Sequence, residues 1–212
     1  MRFILLTTAA LFLGVAPAQA ANFSGSRAEV RGGFDRVTLK AAYSDGVDSV
    51  SGKDHKDGYT LGGEVGYDGR ISPNVTLGAY AGIDFPHTRV CDQVFGSDQF
   101  CLKAPRNLTA GIRLGQVIGR SALVYAKGGY SNGRLTGTYT DFADATNNGS
   151  GHADRSGFHV GIGGEIAIAS HAFVKAEIVH TRYNRYTETD GTTVVSLKGS
   201  RDQLLTGVGV RF

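Results

Sequence analysis

Alternation of apolar residues with polar or small ones dominates this sequence and limits its fold more than any other feature. The last segment shows it best, with one face formed by Leu204, Thr206, Val208, Val210 and Phe212. Successive side chains of a β-strand point to opposite faces, so a period of two predicts a strand between two different environments. Similar runs occupy residues 27–34, 59–68, 75–84, 107–114, 122–130, 158–166 and 174–179. Together they predict an all-β protein of eight strands, each about 9 to 11 residues long.

The connections between these strands alternate in length. Three are short, at residues 69–74, 115–120 and 169–172, and four are long, at residues 35–58, 86–105, 131–156 and 184–200. In an antiparallel up-and-down barrel this order places every long loop at one end, and both termini at the other. Transmembrane barrels of bacterial outer membranes have this asymmetry, with short periplasmic turns and longer outside loops.

Period two alone does not say which face is outside, because a soluble eight-stranded barrel would hold its apolar face inward. The polar face here is rich in glycine and carries isolated charges of both signs, which suits a narrow polar interior. Tyr59, Tyr130 and Phe158 near the loop end, with Tyr67 and Phe212 near the turn end, would form two aromatic girdles. Because an unpaired buried charge is costly, the acidic and basic residues of the interior are expected to pair. The expected interior charges are Glu29, Arg31, Glu64, Arg113, Lys127, Glu165, Lys175, Glu177 and Arg211.

The first twenty residues are typical of a secretory signal peptide. Arg2 gives a positive start, an apolar run follows, and Ala18 and Ala20 form a small-residue cleavage site. The predicted organisation is therefore a signal peptide at 1–20 and one barrel domain at 21–212. No later run reaches about 18 uninterrupted apolar residues, which excludes a helical membrane protein. A formal net charge of +3 gives no electrostatic case for nucleic acid.

The two cysteines, Cys91 and Cys101, are the only ones in the chain. In an exported protein a close, even pair indicates a disulfide. Metal binding is the poorer alternative, since His87 is the only nearby histidine. The chain is expected to need no metal and no cofactor. Asp45, Asp48, Asp54 and Asp57 cluster in the first long connection, but their spacing misses the EF-hand pattern, so a solvated loop is the better interpretation.

The closing segment Arg201–Phe212, the run Tyr125–Tyr130 and the run Lys175–Glu177 resemble strands of small outer-membrane barrels. The resemblance is to the opacity-protein and porin-like family, which includes OmpA-like transmembrane domains, and especially to its alphaproteobacterial members. It implies the outer membrane of a Gram-negative bacterium, with lipids and lipopolysaccharide as surroundings. It also implies delivery by periplasmic chaperones and recognition of Val208, Val210 and Phe212 by the barrel assembly machinery. The sequence departs from the family in lacking Trp.

Three functions are compatible with such a barrel. The first is a non-enzymatic surface component of the envelope, with four long extracellular loops that could contact an extracellular or host ligand. The alternative is a narrow porin-like channel lined by the interior charges. The third, a lipid-modifying enzyme, is disfavoured, because barrels of the lipid A deacylase type use His and Ser two positions apart, whereas His180 is followed by Arg182.

Overall fold

The computed structural model describes residues 23–44, 49–87, 89–94, 98–142, 145–190 and 193–212. The predicted signal peptide, 1–20, with Ala18 and Ala20, lies outside the described residues. No helix in the described ranges is long and apolar enough to cross a membrane. The elements are β1 (Gly25–Ser44), β2 (Ser49–Ser72), β3 (Val75–Pro86), β4 (Arg89–Val94), β5 (Asp98–Ile118), β6 (Ala122–Thr140), a 3-10 helix (Ala145–Asn147), β7 (Gly149–Ala167), β8 (Ala172–Tyr183), β9 (Tyr186–Asp190) and β10 (Thr193–Arg211).

Eight of these strands close into a ring. Neighbours pair antiparallel in the order β1, β2, β3, β5, β6, β7, β8 and β10, and β10 returns to pair with β1, placing Val30 opposite Val208. The short strands β4 and β9 pair with β5 and β10 beyond the ring. Closure gives every strand of the ring two partners, so backbone hydrogen bonds are satisfied without water. The predicted eight-stranded up-and-down barrel is confirmed.

The predicted extent of the long loops is wrong. Pairing of β1 with β2 continues to Ser44 opposite Ser49, and pairing of β6 with β7 continues to Tyr139 opposite Gly149. Much of each predicted loop is therefore an extension of a β-hairpin. The sequence signal fades there because both faces of an extension meet water, which removes the need for alternation. The backbone ladder does not depend on that alternation and continues.

The two faces of each ring strand differ sharply in exposure. Val65 on β2 is 57% exposed to the outside, while the adjacent Glu64 is 2% exposed and points into the barrel. The apolar face is thus the outer face. Phe34 pairs with Tyr59, and Tyr130 with Phe158, near the hairpin end. Tyr67 and Phe212 lie on the outside at the turn end.

Candidate functional site

Charged side chains fill the barrel, and they balance in number. Among the described residues, seven basic and seven acidic side chains are buried, and none of these side chains is more than 7% exposed. We call this set the interior network. Its members are Arg27, Glu29, Arg31, Asp35, Glu64, Asp68, Asp84, Arg113, Lys127, Glu165, Lys175, Glu177, Arg201 and Arg211.

The layer nearest the turn end is a four-residue arrangement of two arginines and two carboxylates. Arg113 donates to both Asp68 and Glu165, and Arg211 donates to the same two carboxylates at 2.7 and 2.8 Å. Arg113 also lies over the ring of Tyr125, with its guanidinium carbon 4.9 Å from the ring centroid. The four residues come from four strands, β2, β5, β7 and β10, so their contacts cross the barrel rather than follow one hairpin.

The middle layer centres on Glu64 and Glu177. Glu64 accepts hydrogen bonds from Arg27 at 2.6 Å and from Lys127 at 2.9 Å. Glu177 accepts from the Tyr125 hydroxyl at 2.8 Å and from Lys127 at 3.2 Å. Each carboxylate therefore has several donors, which offsets the loss of water around it. Further pairs in this layer are Arg31–Asp84, Arg31–Glu64, Arg31–Glu177, Arg27–Glu29, Lys175–Glu29 and Lys175–Glu177.

His159 lies above this layer and is held at both ring nitrogens. Its Nε2 is hydrogen-bonded to the Tyr80 hydroxyl at 2.5 Å, and its Nδ1 to Ser131 Oγ at 2.8 Å. With both nitrogens in contact with protein hydroxyls and only 2% of the residue exposed, His159 is a packing and hydrogen-bonding group of the interior.

The interior network ends toward the hairpins at Arg201. Its guanidinium donates to both carboxylate oxygens of Asp35. Nearby, Tyr183 donates to Asn107 Oδ1 at 3.1 Å. Beyond Arg201 and Tyr183 the barrel opens into a cavity of about 470 Å³, which we call the mouth cavity.

The structure brings together all nine interior charges named from the sequence. Sequence reasoning did not include Arg27, Asp35, Asp68, Asp84 and Arg201, which complete the interior network. The signal was available for three of them, Arg27, Asp68 and Asp84, because alternation on their strands already places them on the polar face. Extending that alternation without a break past the predicted strand ends would have found Asp35 and Arg201.

The other predicted residues lie outside the interior network. Cys91 and Cys101 are opposite each other on β4 and β5 and form a disulfide. His180 lies on the outer face with its Nδ1 2.6 Å from Asp202 Oδ1. Val208, Val210 and Phe212 are exposed on the outer face of the closing strand.

The acidic cluster of the first connection is only partly within the described residues. Asp45 and Asp48 lie outside them. Asp57 pairs with Arg36 on the neighbouring strand, with Nε to Oδ1 at 2.6 Å. Asp57 is therefore part of an ion pair on the outer surface. In the described part of the chain, no group of three His, Cys, Asp or Glu side chains is arranged to hold a metal ion.

Comparison with protein families gives one match that spans nearly the whole chain. A family model described as outer membrane protein beta-barrel domain matches residues 6–212. The sequence matches none of the curated proteins with which it was compared.

Solved structures share the architecture at low sequence identity. Neisserial surface protein A is 14% identical, with a TM-score of 0.51, over 89% of this chain and 98% of that one. The attachment invasion locus protein of Yersinia pestis is 11% identical, with a TM-score of 0.45, over 89% and 99%. The outer membrane protease OmpT from Escherichia coli is 11% identical, with a TM-score of 0.47, over 89% and 97%. At these identities the likeness concerns the fold and carries no activity.

Proposed function

Because this chain belongs to the outer membrane protein beta-barrel domain family, we propose that it is a closed, non-enzymatic surface barrel of the Gram-negative envelope. In this proposal the barrel is a rigid support, and its extended hairpins are the parts that meet the exterior. One observation carries the proposal. The interior network fills the barrel with paired charges whose side chains are at most 7% exposed.

A conducting pore would leave a different signature. Charges that line a water-filled channel remain hydrated, whereas here both Lys175 and Glu29 have 0% exposed side chains. An eight-stranded barrel is just wide enough for side chains to fill it. The paired charges therefore support a plug rather than a selectivity lining.

Single-channel recording of the refolded protein in a planar bilayer tests this proposal. We expect no discrete conductance steps from a barrel whose folding is verified by heat-shifted gel mobility. A porin recorded in the same bilayer is the positive control. Reproducible steps that change in size or ion selectivity in Arg113→Gln or Glu165→Gln would overturn the closed barrel and make the interior a pore.

Non-enzymatic function is supported by the one outer-face feature that sequence reasoning raised. His180 pairs with Asp202, but Arg182 stands where a lipid A deacylase of the resembling type needs a serine. Both members of the pair are about half exposed. We expect the lipid A mass spectrum of cells that express this protein to equal that of cells expressing His180→Ala. Lost acyl chains in the first strain alone would contradict this part of the proposal.

The proposed partners follow from the outer face and the closing strand. The apolar band and girdles face lipid and lipopolysaccharide, and the Phe212 N–H donates to the carbonyl of Ser26 at 2.9 Å where the ring closes. We propose that periplasmic chaperones deliver the chain and that the assembly machinery binds Val208, Val210 and Phe212.

Deletion of Phe212 tests the proposed assembly signal. We expect a strong loss of outer-membrane yield, measured by heat-shifted mobility of fractionated membranes. A Phe212→Tyr variant, which keeps an aromatic terminus, is the matched control and should insert normally. Equal yields for all three proteins would remove Phe212 from the proposal.

A further inference from the structure

The mouth cavity has the dimensions of a small-molecule site. Its volume of about 470 Å³ lies within the range of about 300 to 1,000 Å³ typical of ligand pockets. Its walls come from β1, β5, β6, β7, β8 and β10. Arg201 and Tyr183, at its inner end, are buried or half-buried, so the cavity is open outward and ends at the filled part of the barrel.

The charge around this cavity is one-sided. Five basic residues line it, and none of its described lining residues is acidic. Two carboxylates lie close by and offset part of the charge. Asp35 holds Arg201, and Asp154 pairs with Arg134 at 2.9 Å and lies 4.0 Å from Arg106. The lining basic residues are Arg106, Arg134, Arg155, Lys198 and Arg201.

The surroundings of Lys198 show that positive charge remains in excess at the cavity rim. The nearest charges that act on it are Arg185, Arg182 and Lys40, all of the same sign. Repulsion by Arg185, followed by partial loss of hydration, lowers the pKa of Lys198 below its ordinary value. Within the described residues, no acidic side chain forms an ion pair with Lys198. An anion placed at this rim would relieve the repulsion.

The walls of the cavity are apolar, unlike the interior network beneath them. Val37, Leu39 and Leu135 supply aliphatic surface, and glycines on β6 and β7 leave room between the strands. Gly151 is one of them, and a Cβ added there would meet no atom within 4 Å. An inorganic anion or a hydrophilic polyanion would leave these apolar walls against water. An apolar chain would remove them from it.

We propose that the mouth cavity binds a single-chain amphipathic anion, with its apolar chain against Val37, Leu39 and Leu135 and its anionic head at Arg155 and Lys198. This goes beyond the closed-barrel function, which needs no ligand. The head and the chain together define the ligand class, whose members include free long-chain carboxylates and lysolipid-like molecules from the membrane. Both sources share this chemistry.

Binding of radiolabelled dodecanoate to the barrel in zwitterionic lipid nanodiscs tests the proposal. We expect saturable binding of about one molecule per barrel above that of empty discs. Unlabelled dodecanoate and dodecyl sulfate should displace it, and uncharged dodecanol should not. Anionic lysophospholipid added to the discs separates the two sources, because displacement identifies a membrane lipid as a competent occupant and no displacement restricts the site to the free acid.

Matched variants locate the binding. Arg155→Gln and Lys198→Gln should each weaken dodecanoate binding about tenfold, because each removes a charge-assisted contact. Lys103→Gln, an exposed charge outside the cavity lining, should not change it. Gly151→Phe should abolish binding by filling the cavity, whereas Gly149→Phe, on the same strand and also in open space but outside the lining, should not.

Several results would overturn the proposal, with heat-shifted mobility showing in each case that the variant is folded. These are binding no greater than to empty discs, equal displacement by dodecanol, or full binding to Gly151→Phe. None of them depends on conductance, so the proposal fails or stands separately from the closed-barrel function.

Discussion

The barrel has two regions in which the same chemical pair meets different surroundings. In the membrane-spanning region, Arg113 donates to Asp68 and Glu165 with side chains no more than 1% exposed. In the hairpin region, Arg36 donates to Asp57 with comparable hydrogen-bond lengths, but the two side chains are 46% and 43% exposed. The interior pair joins strands that are not neighbours, whereas the outer pair joins residues directly opposite on β1 and β2.

This difference teaches where charge contributes to the fold. In water the gain from an exposed pair is small, because solvent screens it and two flexible side chains lose freedom. Inside the barrel the paired charges replace water for each other, so loss of one partner leaves the other buried and alone. The membrane-spanning region therefore depends on its pairs, while the hairpins are free to vary theirs.

The largest expected effect separates the two regions directly. Arg113→Gln should destabilise the folded barrel by about 3 to 5 kcal/mol, because Asp68 and Glu165 lose a shared donor in a buried site. Arg36→Gln should cost at most about 1 kcal/mol. Denaturant titration in lipid vesicles, followed by heat-shifted mobility, measures both. Similar costs for the two variants would contradict the comparison.

A single methyl group should show the same contrast in packing. Gly111 faces Gly129 across β5 and β6, and a Cβ at Gly111 would lie 2.8 Å from Gly129 Cα and 2.7 Å from the Tyr80 hydroxyl. Gly111→Ala should therefore destabilise the barrel by about 1 to 3 kcal/mol through overpacking. Gly151→Ala in the hairpin region meets open space and is the control. The same denaturant titration applies, and an unchanged Gly111→Ala would show that the strands can separate without cost.

The disulfide should affect only the hairpin region. Replacing both Cys91 and Cys101 by Ser removes a cross-strand link between β4 and β5, beyond the ring. We expect faster tryptic cleavage after Lys103, because the local link no longer limits opening of the hairpin. The unfolding midpoint of the ring should stay the same. A large fall in that midpoint would mean that the hairpins and the ring unfold as one unit.

The smallest effect is the pH response of an outer ion pair. The hydrogen bond from Arg134 lowers the pKa of Asp154 below its ordinary value of 3.8. A carboxyl with a lowered folded-state pKa stabilises the fold above its ordinary pKa, and that contribution is lost as pH falls through the lowered value. Amide exchange of β7 near Asp154 should therefore be unchanged from neutral pH down to about 4 and accelerate, relative to Asp154→Asn, only below it. A difference that grows toward neutral pH would contradict this sign.

Much of the architecture was predictable from residues alone. Alternation is a property of the chain itself, because a strand between lipid and a polar lumen must repeat every two residues. Arg113 and Glu165 could therefore be assigned to the interior from their positions in the alternation. The extents of the hairpins could not, since β1 beyond residue 38 and β2 before residue 58 meet water on both faces and show no alternation.

The sequence by itself determined the eight crossings, the inward face and the charges on it. Only the tertiary structure decided that Arg113 meets both Asp68 and Glu165, that Lys127 lies between Glu64 and Glu177, and that apolar and basic residues of six strands enclose the mouth cavity. The physical reason is distance along the chain. Alternation reports each residue's own environment, whereas partners across a barrel are set by its width and by the register of strands far apart in sequence.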